Sequence, residues 1–210
     1  MRVRALLLAV AVSFGVTSVE VLPMTSDRLA PVARAEAGEP GRVAEGLDRL
    51  VGLVLQRLET GDAVAAAKWA TAQASGSEPV IDDPAREAEV YDSMARAGAE
   101  LGLPGGWVRQ VFLGQIEASK MVQHGLIARW RFDPATVPTT PPNLAAVRPV
   151  IDRVNGEILR ELAAHRAELS GSHCVVRLAS SVFPMLTSGR ADSLHQAALV
   201  RATAALCGPA

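Results

Sequence analysis

Between Val43 and Ala74 the apolar residues recur at the period of an α-helix. Val43, Leu47, Leu50, Val51, Val54 and Leu58 fall on one stripe, and Val64 and Ala65 prolong it. So long an apolar stripe must be covered, and other helices with a matching stripe are the natural cover. No segment alternates apolar and polar residues over the length of a strand. Only 4% of the residues are aromatic, which disfavours a β-sandwich, whereas the abundant Ala, Leu, Arg and Glu favour helix. The expectation is an all-α fold, a single domain of six helices with a C-terminal helical extension.

Turn residues divide the rest of the chain. Ser75-Gly76-Ser77-Glu78-Pro79 ends the first helix. Asp82-Asp83-Pro84 starts a second, with an Asp able to cap and Pro at the first helical position, and it runs to about Leu103. Leu103-Pro104-Gly105-Gly106 is a turn. A third helix with Trp107, Val111, Ile116 and Val122 then reaches about Trp130. Pro134, Pro138, Pro141 and Pro142 make the stretch from Asp133 to Asn143 an extended connector. A fourth helix carries Val147 to Leu162, with Pro149 expected in its first turn, where a missing N–H costs nothing. Two shorter helices, about 174–186 and 192–207, complete the chain.

At the N-terminus, Arg2 and Arg4 precede the apolar run from Ala5 to Val16. This is the pattern of a secretory signal, and the run is too short to span a bilayer comfortably. Ala33-Arg34-Ala35 offers the cleavage site, which places a signal peptide at 1–35 and the helical domain at 36–210. Cleavage would remove four basic and two acidic residues, taking the formal net charge from −1 to −3. With no basic excess, no nucleic-acid partner is expected, and after cleavage no stable membrane association. In an oxidising compartment Cys174 and Cys207 would pair, at roughly 3–4 kcal/mol in the chain-entropy picture. Two separate buried thiols are the alternative.

Several charged and polar residues do not suit a plain bundle. Arg57 and Lys68 lie eleven residues apart, so both project from one face of the first helix, close to its apolar stripe. Cations there are costly unless an anion meets them, or unless they snorkel at the edge of the core. Ser119 and Gln123 form an i,i+4 pair in line with Ile116 and Val122. Arg86 follows Asp83 in the first turn of the second helix, where the helix dipole disfavours a cation. A small dianion held between helices accounts for all of them together. Lys120 projects about 100° away from Ser119 and is read as solvent-facing. His124, His165, His173 and His195 show no metal-ligand spacing and are read as surface or capping residues, so no metal is expected.

The pattern Arg57-x10-Lys68, Asp83-x-x-Arg86-Glu87 and Ser119-x3-Gln123, with Gln115-Ile116 ahead of Ser119, resembles the all-helical chorismate mutases. Arg148 after a Pro-rich connector, and the cysteines Cys174 and Cys207, are similar to the exported subclass of that family. The resemblance covers about 49–207, with the core motif within about 49–130. It implies chorismate as substrate, no cofactor and a homodimer, secreted or periplasmic. It further implies that Arg57, Arg86 and Arg148 bind the two substrate carboxylates, with Ser119 assisting. Lys68 and Gln123 would contact the ether oxygen, and Glu87, with Asp83 near it, would hold the ring hydroxyl and orient the arginines. In short relatives one such Arg comes from the partner subunit, whereas Arg148 would supply it from the same chain.

Two other readings remain open at this level, an isochorismate-pyruvate lyase on the same fold and a non-enzymatic exported helical binding module. Exported relatives often carry Glu where this chain has Gln123. A Glu must be protonated to donate, whereas an amide donates at any pH. Turnover is therefore expected to be flat between about pH 5 and pH 8, and a steep loss across that range in purified protein would remove Gln123 as the ether-oxygen donor.

Overall fold

The computed structural model describes residues 45–209. The expected signal segment, its cleavage site near Ala35 and the stripe residue Val43 lie outside the described residues. Within them the chain forms seven α-helices and no strand: α1 (Glu45–Ser75), α2 (Pro84–Glu100), α3 (Gly105–Phe132), α4 (Leu144–Ala164), α5 (Arg166–Leu169), α6 (Cys174–Thr187) and α7 (Ser193–Thr203). The helix beyond the expected six is α5, a single turn between α4 and α6.

The helix starts follow local chemistry. Asp83 caps α2, its Oδ1 accepting from the Arg86 amide at 3.1 Å, with Pro84 in the first turn. Asn143 caps α4 in the same way, accepting from the Ala145 amide at 2.8 Å. That cap corrects the expected position of Pro149. The helix begins five residues before it, so Pro149 lies in the second turn. The Ala145 carbonyl thereby loses its helical donor, which is tolerable because Ala145 is exposed to water. The connector before α4 has no regular structure apart from one 3-10 turn, Pro134–Thr136.

Helices α1 and α3 form the central pair. α1 also packs on α4, α6 and α7, and α3 also packs on α2 and α7. Leu50, Val51, Val54 and Leu58 of α1, all fully buried, meet Val111, Phe112 and Val122 of α3, Ile158 and Leu162 of α4, and Leu199 of α7. Each such side chain contributes on the order of 1.5–3 kcal/mol of burial. A methyl on Gly114 would collide with the Ala205 side chain, so only glycine lets α3 approach the C-terminal segment this closely. At the far ends of α1 and α3, Trp69 and Trp130 meet edge to face with ring centroids 5.9 Å apart.

The C-terminal segment is tied down covalently and by hydrogen bonds. Cys174 and Cys207 form a disulfide across 33 residues, so the alternative of two separate thiols falls. Trp107 Nε1 donates to the Leu206 carbonyl at 3.0 Å, and Gln110 Nε2 to the carbonyls of Ala205 and Cys207.

His195 corrects another expectation. It is buried, not a surface residue. Its Nδ1 lies 2.7 Å from Asp192, the N-cap of α7, and its Nε2 lies 2.9 Å from Asp62 of α1. Burial works against its charge, but the hydrogen bonds to Asp192 and Asp62 outweigh that and hold its pKa above the ordinary value of 6.5. The folded value exceeds the unfolded one, so this stabilisation is complete below about pH 6.5 and is lost as pH rises through the folded value. His195→Gln is expected to lower Tm by a few degrees at about pH 6 and by clearly less at about pH 9. Equal deficits at the two pH values in calorimetry would leave the cluster without an ionic role.

Candidate active site

The two cations of α1 face the gap between α1, α3, α4 and the start of α2. Arg57, Lys68, Asp83, Arg86, Glu87, Ser119, Gln123 and Arg148 all line one cavity of about 320 Å³. Every residue expected to form the site is thus brought to a single place. Val64, Ile81, Val90, Ile116, Leu144 and Ile151 supply its apolar wall. A volume of this order suits a small ligand with a few converging polar groups.

Arg57 is the deepest of the cations, only 6% exposed. Its Nε donates to Asn155 Oδ1 at 2.8 Å and its Nη1 to the Gln115 carbonyl at 3.0 Å. Burial lowers its pKa to about 10, still charged at neutral pH. Lys68 donates to the Ile81 carbonyl at 3.1 Å. Burial pulls its pKa below the usual lysine range, while Asp83, Asp82 and Glu87 pull the other way. Arg148 is exposed at the cavity mouth. Among the described residues no carboxylate pairs with Arg57, Lys68 or Arg148. Among the described residues, three cations therefore face one cavity without a direct ion pair.

Arg86, Glu87 and Lys120 are already partnered. Arg86 pairs with Glu89 at 2.8 Å on the exposed side of α2. Glu87 accepts from Lys120 at 3.2 Å and from the Tyr91 hydroxyl at 3.4 Å, so its contacts are with these two groups and not with the arginines. Lys120 itself overturns the solvent-facing reading. Its ammonium is bridged to Glu117 at 2.7 Å, Asp82 at 2.9 Å and Glu87 at 3.2 Å, and it lines the cavity. The Glu117 hydrogen bond leads the interactions that raise its pKa, against some opposing burial. A four-carbon stem reaches across the helix surface to this acidic cluster, which a direction at Cα does not convey.

Gln123 is 5% exposed. Its Nε2 donates to the carbonyl and the hydroxyl of Ser119, both at 3.3 Å, and its Oε1 is buried without a partner. Asn155 and Asp152 were not among the expected site residues, although both line the cavity. Arg148, Ile151, Asp152 and Asn155 stand at i, i+3, i+4 and i+7 of α4, so helical periodicity counted from Arg148 could have found Asn155 as well.

Comparisons with known proteins point to one family. The family profile described as chorismate mutase type II matches residues 47–124. The secreted chorismate mutase of Mycobacterium tuberculosis is 30% identical over 98% of this chain and 96% of its own length. That of Mycolicibacterium smegmatis is 33% identical over 85% of this chain and 97% of its own. The crystal structure of chorismate mutase from Burkholderia phymatum superposes with a TM-score of 0.72 at 34% identity, covering 80% of this chain and 99% of that one. The chain belongs to the type II chorismate mutase family.

Proposed function

We propose that this cavity converts chorismate to prephenate, and that Arg57, Lys68 and Arg148 carry the recognition of the dianion. The observation that supports the reading most directly is three cations facing one cavity with no ion pair among the described residues. Leaving cations near a core unpaired is costly, and a substrate with two carboxylates and an ether oxygen offsets that cost when it binds.

The rearrangement breaks one C–O bond as one C–C bond forms, within a single molecule and without nucleophile or cofactor. The protein has two tasks. It must hold the enolpyruvyl arm over the ring, and it must stabilise negative charge developing on the ether oxygen. The planar forks of Arg57 and Arg148, with Arg86 at the same rim, fit the carboxylates. Ser119 would assist at one of them. Lys68, fixed to the Ile81 carbonyl, supplies a point charge for the ether oxygen. Gln123 supplies a neutral N–H. Its two bonds to Ser119 are long, so the amide can exchange one for a stronger acceptor in the cavity. Glu87, with Asp83 beside it, would take the ring hydroxyl while Lys120 holds its carboxylate in place.

The residues at 1–35 act as a secretory signal in this reading, and the mature protein works outside the cytosol. The two relatives named secreted support it. No helix among the described residues is long and apolar enough to cross a membrane. A homodimer is proposed as well, and the exposed apolar side chains Val175, Val176, Phe183 and Val200 on α6 and α7 offer a surface for it.

Purified protein is expected to consume chorismate and release prephenate. Lys68→Ala should lower kcat by about 10²–10³-fold with the fold intact. Pyruvate release from isochorismate without prephenate formation would instead make the protein a lyase. No turnover of either substrate would make it a binding module.

A further inference from the structure

Arg57 is held by two neutral acceptors, and one of them has an unused half. The guanidinium donates through Nε to Asn155 Oδ1 at 2.8 Å and through Nη1 to the Gln115 carbonyl at 3.0 Å. Asn155 is itself 2% exposed. Arginine has no acceptor atom, so the oxygen of the Asn155 amide must face it. The amide nitrogen is therefore turned away from Arg57. It has no hydrogen-bond partner among the described residues, and it is not one of the sealed, unpartnered atoms, which are Gln115 Oε1, Gln123 Oε1 and Ser181 Oγ. Asn155 lines the cavity. Its Nδ2 is thus a neutral donor opening onto the space beside Arg57.

The choice of an amide over a carboxylate has an electrostatic consequence. An Asp at this position would anchor Arg57 with the same shape and a stronger bond. It would also discharge the guanidinium and set a second negative charge against an anionic substrate. A neutral acceptor orients the fork and leaves its charge undiminished. Together with the proposed function, on which it rests, this leads us to propose that Asn155 is both a positioning residue for Arg57 and a binding residue. Its Oδ1 aims the guanidinium, and its Nδ2 donates to the same substrate carboxylate that Arg57 takes.

Steady-state kinetics with chorismate on wild type, Asn155→Asp and Asn155→Ala, with Tm measured for each, test this. Asn155→Asp keeps the anchor for Arg57, so its Tm should equal or exceed that of wild type. Its KM should nevertheless rise by about 100-fold or more, because recognition loses a donor and meets a repelling charge. Asn155→Ala should raise KM by roughly tenfold, with a lower Tm. In both variants the change in kcat should be smaller than the change in KM. A merely structural asparagine reverses this order: Asn155→Asp stays within about twofold of wild type while Asn155→Ala suffers more, and that result overturns the proposal. A kcat loss with KM unchanged overturns it too. If wild type does not turn over chorismate, the proposed function fails. If wild type is active and the variants follow the reversed order, only the role of Asn155 fails.

Discussion

A guanidinium buried near the middle of a helical bundle without a carboxylate is the constraint on which the rest of this structure depends. Removing a cation from water costs several kcal/mol even after relaxation, and an ion pair would be the direct remedy. Here Arg57 is satisfied by an amide oxygen of α4 and a backbone carbonyl of α3. Three helices must therefore meet at one point and keep their register. α1 provides the cation, α3 a carbonyl set by the glutamine whose side chain reaches toward α7, and α4 the asparagine. Neutral ligation meets the hydrogen-bonding demand of the fork while leaving its charge for a substrate.

The negative groups of the same region are organised around Lys120. Asp82, Glu87 and Glu117 all converge on its ammonium. This arrangement gathers Asp82 and Glu87, from either side of the α2 cap, to one cation, and among the described residues neither pairs with Arg57 or Arg148. The cavity is consequently divided. A deep and mouth-side cationic part suits carboxylates, and an acidic part built on Glu87 suits a hydroxyl. Lys68 lines the same cavity, its pKa drawn down by burial and up by Asp83, Asp82 and Glu87.

Much of this was legible in the sequence, for identifiable reasons. The stripe from Leu47 to Leu58 could only be the buried face of a helix. Asp83-Pro84 could only begin one, and the spacing of Arg57 and Lys68 placed both on one face. The disulfide followed from two cysteines and an export pattern, although the choice between a pair and two thiols needed the structure. Other features were less visible. Pro149 fell in the second turn because Asn143 captures the start of α4, and a cap competes with proline placement in a way composition does not reveal. Lys120 and His195 were misplaced because each is decided by carboxylates distant in sequence, Asp82 and Glu87 for the one and Asp62 for the other.

By itself the sequence determined the long helices, the Asp83 cap of α2 and the set of polar residues too costly to bury without an anion, because periodicity and turn chemistry act over a few residues. Only the tertiary structure decided which charges already have a protein partner. Arg86 and Lys120 are paired, whereas Arg57, Lys68 and Arg148 face the cavity unpaired among the described residues. That distinction is a matter of a few ångströms between side chains from different helices. At such distances Coulomb energy depends strongly on separation and burial, and linear order along the chain carries almost no information about either.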